Sequence, residues 1–314
     1  MRCPLAFLAL TLATTTLAPA QQPFTLQQIL SAPYALSLTA APKGVRFAWV
    51  ENAEGRRNLW IGGPKEPARQ ITQYSEDDGQ DLDGLAWSPD GTSIVYSRGA
   101  ETGADGKPAN PAHLQRATPV EVWVQPIGPD SQPVLLGEGH SPLFSRDGRS
   151  VLFVHGGQIW VAELSSPSAA HQLVFDRGSA SSLTLSPDGK LLAFVSHRRD
   201  HSFIGMFGLS AHTLRFLSPS TGSDFAPNFS PDGKQIAWLR KPFTEAPEFA
   251  ANRVSAYPWS IQLASVASGE AHTLYAPKAN ERGSVPPHLS SGSPRLFWAV
   301  GGKLLFFKIG RAHV

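Results

Sequence analysis

Three stretches of the sequence carry residue types that could do chemistry. Gly139-His140-Ser141-Pro142-Leu143 comes nearest to the Gly-x-Ser-x-Gly elbow that presents a nucleophilic serine between a strand and a helix. It lacks the final glycine and runs into a repeated turn, so it reads as structural. His197 and His201 have the spacing of a zinc-binding pair on a helix, but their segment follows a strand-like run. Arg198 and Arg199 between them oppose a cation. Asp77-Asp78-Gly79-Gln80-Asp81-Leu82-Asp83-Gly84 is an acidic turn with oxygen ligands for calcium, but it lacks the distal bidentate glutamate of a helix-loop-helix calcium site. Glu245, Glu248, Glu281 and Arg282 are loop charges that could meet a substrate terminus. None of these sets is a complete catalytic or metal constellation. The expectation is no catalytic residue, no metal and no cofactor, with substrate-binding residues left unassigned.

The elements that would position such residues are repeats. Trp87-Ser88-Pro89-Asp90-Gly91 recurs with Phe144 to Gly148, Leu185 to Gly189 and Phe229 to Gly233. At a constant offset each is followed by a β-type run: Ile94-Val95-Tyr96, Val151-Leu152-Phe153, Leu192-Ala193-Phe194 and Ile236-Ala237-Trp238. Two degenerate copies, Ala40 to Trp49 and Leu289 to Trp298, align without gaps. The turn has a mechanical basis. Proline presets φ at the first central position, aspartate bonds back to nearby amides, and glycine accepts positive φ. Each copy is therefore a tight hairpin between two strands.

Third strands follow in most copies: Leu59-Trp60-Ile61, Val122-Trp123-Val124, Ile159-Trp160-Val161 and Ile261-Gln262-Leu263. A fourth short strand completes a unit of roughly 40–50 residues, the period of a propeller blade. The sequence thus predicts an all-β chain: a β-propeller of about six four-stranded blades in an incomplete ring. Two long connections, 99–119 and 241–258, should rise from one side of the disc, since both follow the second strand of their blade.

Composition and the chain ends set further bounds. Charged residues make up only 17%, while Gly (28) and Pro (27) are frequent, which suits short strands and turns. The formal charge of +2 is not gathered into a basic stripe, so nucleic acid is not an expected partner. Residues 1–20 read as a signal peptide: Arg2, an apolar run from Leu5 to Leu17, and Ala18-Pro19-Ala20 before a cut at Gln21. A secreted or periplasmic protein, free of the membrane after cleavage, is expected. The single cysteine, Cys3, lies in that leader, so the mature chain has no disulfide. Residues 308–314 (Lys308 through Ile309-Gly310-Arg311-Ala312-His313-Val314) read as the translation of a DNA-library adapter. The propeller region is accordingly 21–307, with the natural gene expected to continue past Phe307.

Longer stretches carry a family resemblance. Asp77-Asp78-Gly79-Gln80 running into Leu85-Ala86-Trp87-Ser88-Pro89-Asp90-Gly91, then Tyr96-Ser97-Arg98-Gly99, resembles secreted bacterial members of the prolyl oligopeptidase and dipeptidyl-peptidase IV-like family. So do Ser196-His197-Arg198-Arg199-Asp200-His201-Ser202-Phe203-Ile204-Gly205, and Glu245-Ala246-Pro247-Glu248-Phe249 leading to Pro258-Trp259-Ser260-Ile261. The resemblance spans about Phe24 to Phe307. It implies a propeller of seven or eight blades that caps an α/β-hydrolase domain and admits short peptides to a serine triad. That domain is missing from these residues, and no adjacent Glu-Glu pair is present to grip a peptide amino terminus. The Ser-Pro-Asp-Gly hairpins alone are shared with TolB-type propellers. The alternative expectation is therefore a periplasmic binding or interaction propeller without chemistry. A sugar lyase acting through channel histidines is a more distant alternative.

Overall fold

In the computed structural model, residues 24–100, 108–111, 113–241, 259–277, 295–299 and 302–307 are described. The chain divides into two units, Met1–Ala32 and Pro33–Val314. The described part of the first holds one short helix, α1 (Leu26–Leu30), closed by a capping box between Thr25 and Gln28. Nothing in that helix is buried.

The second unit is built of four-stranded antiparallel sheets, each formed by consecutive strands. Blade 1 is β1 (Tyr34–Ala40), β2 (Phe47–Ala53), β3 (Arg56–Gly63) and β4 (Glu66–Gln70). Blade 2 is β5 (Asp81–Trp87), β6 (Ser93–Gly99), β7 (Glu121–Pro126) and β8 (Val134–Glu138). Blade 3 is β9 (His140–Phe144), β10 (Ser150–His155), β11 (Gln158–Glu163) and β12 (His171–Val174). Blade 4 is β13 (Ser179–Leu185), β14 (Leu191–His197), β15 (Ser202–Gly208) and β16 (Thr213–Leu217). Blade 5 is β17 (Ser223–Phe229), β18 (Gln235–Lys241), β19 (Ser260–Ser265) and β20 (Ala271–Tyr275). A sixth unit shows two strands among the described residues, β21 (Arg295–Trp298) and β22 (Leu304–Phe307), rather than the expected four. By the repeat's alignment these are the second and third strands of a blade. First strands of successive blades touch one another, so they line the axis and the fourth strands lie outermost.

Strand alternation decides how the blades stack. In every second strand one parity faces the preceding blade and the other faces the following one. Ala48 and Val50 meet Ile94 and Tyr96 of blade 2; Val95 meets Val151 and Phe153 of blade 3. Leu152 meets Leu192 and Phe194; Ala193 and Val195 meet Ile236 and Trp238; Ala237 and Leu239 meet Leu296. The backward-facing aromatics Tyr96, Phe153, Phe194 and Trp238 are 0–1% exposed. Burying such a side chain contributes roughly 1.5–3 kcal/mol, so these rows carry the core.

The repeated turns behave as their sequence dictates. The serine hydroxyl donates to the aspartate carboxylate at 2.5–2.6 Å in all four: Ser88–Asp90, Ser145–Asp147, Ser186–Asp188 and Ser230–Asp232. The amide two residues on donates to the same carboxylate at 3.0–3.1 Å. Gly91, Gly148, Gly189 and Gly233 all have positive φ, 69–76°. Three of these glycines have a second reason to lack a side chain. A Cβ on Gly148, Gly189 or Gly233 would meet Pro89, Arg146 or Pro187 of the preceding turn at 3.4, 3.0 and 3.4 Å. The turns thus stack head to tail around one face. Arg146, standing where the others have proline, also donates to the carbonyls of Leu185 and Ser186 at 2.9 and 3.2 Å.

The serine hydroxyls, seconded by the amides, hold Asp90, Asp147, Asp188 and Asp232 below the ordinary carboxylate value of 3.8. A depressed folded-state pKa adds stability that is complete above the unfolded value and lost as pH falls through the folded one. The urea midpoint should therefore drop as pH is lowered below about 4, and Asp188→Asn should flatten that dependence when measured by fluorescence-monitored unfolding.

Candidate functional site

The axial wall is formed by the five first strands, and all five share one irregularity. Ser37, Gly84, Ser141, Ser182 and Ala226 have φ of 54, 65, 54, 51 and 54°. Each lies three residues before the residue that closes its strand. The pairing register breaks at the same point in each blade, so these are β-bulges. A non-glycine residue in this region costs roughly 1–2 kcal/mol. Four of the five positions bear that strain, and all five side chains are small or absent. The bulge bends each inner strand and keeps the wall at this level free of bulk.

The residues immediately before the bulges are Leu36, Asp83, His140, Ser181 and Phe225. Asp83 is exposed; its carboxylate accepts the Gly84 amide at 2.7 Å and makes no ion pair among the described residues. The exposed His140 places Nδ1 3.0 Å from the Ser141 hydroxyl. Ser181 lies 2.7 Å from Nε2 of His197, which ends the neighbouring strand β14. Partial desolvation lowers the pKa of both imidazoles and so favours their neutral forms, although both keep solvent-exposed edges. Blades 2–4 therefore gather one carboxylate, two imidazoles and the hydroxyls of Ser141 and Ser181 along and beside their inner strands.

The expected candidates fall as follows. Gly139–Leu143 enters an inner strand rather than a strand-to-helix elbow. His197 is held by Ser181, while His201 Nδ1 pairs with Asp200 at 2.7 Å, so the two histidines serve different partners. The carboxylates of the acidic turn are drawn to arginines instead of to a common centre. Arg57 reaches Asp81 at 2.8 Å and Asp77 at 3.6 Å, and Arg98 pairs with Asp78. No group of three or more metal-ligating side chains occurs among the described residues. Glu245, Glu248, Glu281 and Arg282 lie outside the described residues, as do residues 1–20, expected to be a signal peptide, residues 308–314 and most of connection 241–258. Connections 99–119 and 241–258 leave from the ends of β6 and β18. In the first of them Pro111 lies against Gly79, where a Cβ would come within 2.4 Å of its ring.

Around the same face, buried polar clasps pin the segments that cross from one blade to the next. Arg98 pairs with Asp78 and stacks 4.3 Å over the ring of Tyr74, whose hydroxyl meets that of Tyr96 at 2.8 Å. Burial pushes both phenols above their ordinary value. Arg198 reaches Asp176 at 3.1 Å through both outer nitrogens, and Ser196 donates to the same carboxylate. Burial raises Asp176, but these hydrogen bonds and the guanidinium charge outweigh it and leave its pKa below the usual range. Arg240 grips Asp224 at 2.7 and 2.8 Å and the Ser218 carbonyl at 2.6 Å. Asp224 has no exposed surface, and burial raises its pKa despite Arg240. Asn58 and Gln158, at equivalent positions of β3 and β11, each clasp the crossing segment through both amide atoms. The segments that carry the family resemblance, 77–99 and 196–205, thus contain clasp residues.

No family model matches the chain, and no curated protein matches it. Solved structures do. Hydrazine synthase of Kuenenia stuttgartiensis is similar at a TM-score of 0.60 and 15% identity, covering 92% of this chain and 76% of that one. An oligogalacturonate lyase in complex with manganese is similar at 0.55 and 16%, covering 86% and 74%. TolB from Acinetobacter baumannii is similar at 0.48 and 20%, covering 76% of this chain and 54% of that one. With the blade topology, the likeness to the first two establishes the fold class: this chain is a β-propeller. Among the described residues no helix is long and apolar enough to cross a membrane.

Two sets of variants check these assignments. Gly84→Ala should destabilise by about 1–2 kcal/mol and Ser182→Gly should stabilise by up to about 1 kcal/mol, since the left-handed region penalises a Cβ; urea denaturation at neutral pH reads both signs. Arg240→Ala should cost about 3–5 kcal/mol by stranding a buried carboxylate. That loss should shrink as pH is lowered, because a buried carboxylate without its cation takes up a proton more readily, and the double change Arg240→Met with Asp224→Leu should recover most of it.

Proposed function

We propose that this propeller controls access to a peptidase site carried on a hydrolase domain outside the 314 residues. Short, extended peptides are the substrate class. The observation that carries this reading is the axial wall: five small bulge positions at one level, beside Asp83, His140, Ser181 and His197. Bulge positions that are all small, with hydrogen-bonding groups beside three of them, suit passage of a flexible polar chain better than tight enclosure of one compact ligand. The resemblance of residues 77–99 and 196–205 to secreted prolyl oligopeptidase-type proteins supplies the reaction class. In that reading the missing domain performs acyl-enzyme chemistry, and the propeller contributes selection by size.

The rival is a binding propeller that holds a protein partner on the same face and hydrolyses nothing. Genomic sequence downstream of the Phe307 codon separates the two. The expected result is an in-frame hydrolase domain with Gly-x-Ser-x-Gly, whose full-length product cleaves short peptides and is stopped by a serine-directed organophosphorus reagent. In that product, Ser182→Phe should slow hydrolysis of a hexapeptide more than that of a dipeptide analogue. A stop codon just past the propeller would leave the binding reading in its place.

A further inference from the structure

An aspartate followed by glycine is the step at which a chain most readily rearranges through its own side chain. Glycine brings no side chain to obstruct its amide nitrogen as that nitrogen approaches the neighbouring carboxyl carbon. The chain has seven such steps. Six lie among the described residues, and the structure treats them in two ways.

In four of them, at Asp90, Asp147, Asp188 and Asp232, both reacting groups are held elsewhere. The carboxylate accepts the serine hydroxyl and the amide two residues on. The glycine nitrogen donates to the serine carbonyl at 2.9–3.0 Å. At the fifth, the Asp78 carboxylate is taken by Arg98 and by the Gln80 amide at 3.0 Å. At the sixth the two groups meet each other. The Gly84 nitrogen donates to the Asp83 carboxylate at 2.7 Å, and the carboxyl carbon is one bond beyond that contact. The bulge of β5 accounts for this. Asp83 is paired with Ser97 and Ala86 with Val95, so Gly84 and Leu85 stand against Tyr96 alone, and the Gly84 amide turns to the side chain beside it. Asp83 is also exposed to water. The matching positions of the other first strands, Leu36, His140, Ser181 and Phe225, carry no carboxylate.

We propose that Asp83–Gly84 is a site of spontaneous backbone modification, at which Asp83 becomes isoaspartate through a succinimide. The Gly84 nitrogen bonds to Cγ of the protonated Asp83 carboxyl, its proton passes to solvent, and one carboxyl oxygen leaves as water. Water then adds to the main-chain carbonyl of the five-membered ring and breaks its bond to nitrogen, which takes a proton back. The net composition is unchanged, and no oxidant or reductant takes part. The chain afterwards runs through Cγ, one carbon longer, with the carboxylate on Cα. The added carbon falls at the bulge, where β5 already carries a residue in excess of its partner. The one carboxylate among the residues preceding the bulges is thereby displaced. The reaction does not depend on what the axis admits, and it holds for a gating or a binding propeller alike.

The test incubates the folded full chain in mildly acid buffer made with heavy-oxygen water, then maps its peptides by mass spectrometry with electron-transfer fragmentation. Labelled isoaspartate should accumulate at Asp83 at least about ten times faster than at Asp90, Asp147, Asp188 or Asp232, because only there are the reacting groups already in contact. The rate at Asp83 should fall in mildly alkaline buffer, and Asp83→Glu should abolish the label at this position. In concentrated urea the advantage should disappear, since the steps then differ only in their flanking residues. Equal or slower reaction at Asp83 in the folded chain overturns the proposal. So does an advantage of the same size in urea, which would assign it to the local sequence rather than to the bulge.

Discussion

The structure depends on the parity of its second strands. A single four-stranded sheet of this size has two apolar faces and cannot be stable alone. Alternation sends Ile94 and Tyr96 backward and Val95 forward, and the same division repeats at residues 151–154, 192–195 and 236–239. A shift of one residue in any of these strands would exchange the two faces and open two interfaces at once. Register is therefore fixed by neighbours on both sides, and the turns need only deliver the chain at the correct residue.

The two faces of the disc are built on different chemistry. One carries the Ser-Pro-Asp-Gly turns, which satisfy their own amides locally and touch through proline and glycine. The other carries long-range pairs: Arg98–Asp78, Arg198–Asp176 and Arg240–Asp224, with the amide clasps of Asn58 and Gln158. In the last two pairs a guanidinium bound bidentately to a buried carboxylate holds a crossing segment at fixed height. Asp83 and Ser181 inherit their positions from that scaffold, since each lies in a first strand whose entering segment is clasped, and Ser181 in turn holds His197.

The parts of this arrangement that were legible in the sequence are the local ones. Proline, aspartate and glycine at fixed spacing specify a turn within five residues, and the β-type run after each turn became β6, β10, β14 and β18. The third strand of blade 4 was harder to read because Gly205 interrupts its apolar run. The structure supplies the reason: a Cβ at Gly205 would fall 2.6 Å from the ring of Phe194. The clasps join residues about 20 apart in sequence, with no spacing rule connecting them. The acidic turn 77–84 looked like a candidate cation site because its arginine partners, Arg57 and Arg98, lie in other strands. The axial bulges did leave a trace, a small residue three places before each strand end, but a lone serine or alanine in a strand gives no sign of positive φ.

The head-to-tail contact between turns also bears on how such a chain can change length. Each turn carries a plug, its second residue, and a socket, its glycine. Pro89 fills the socket at Gly148, Arg146 that at Gly189, and Pro187 that at Gly233. A duplicated blade brings one plug and one socket together, so it can be spliced between any two neighbours without altering either. A partial duplication leaves one of them unmatched. The arc is modular in whole blades only, and its size can drift by gene duplication while the geometry of every joint stays the same.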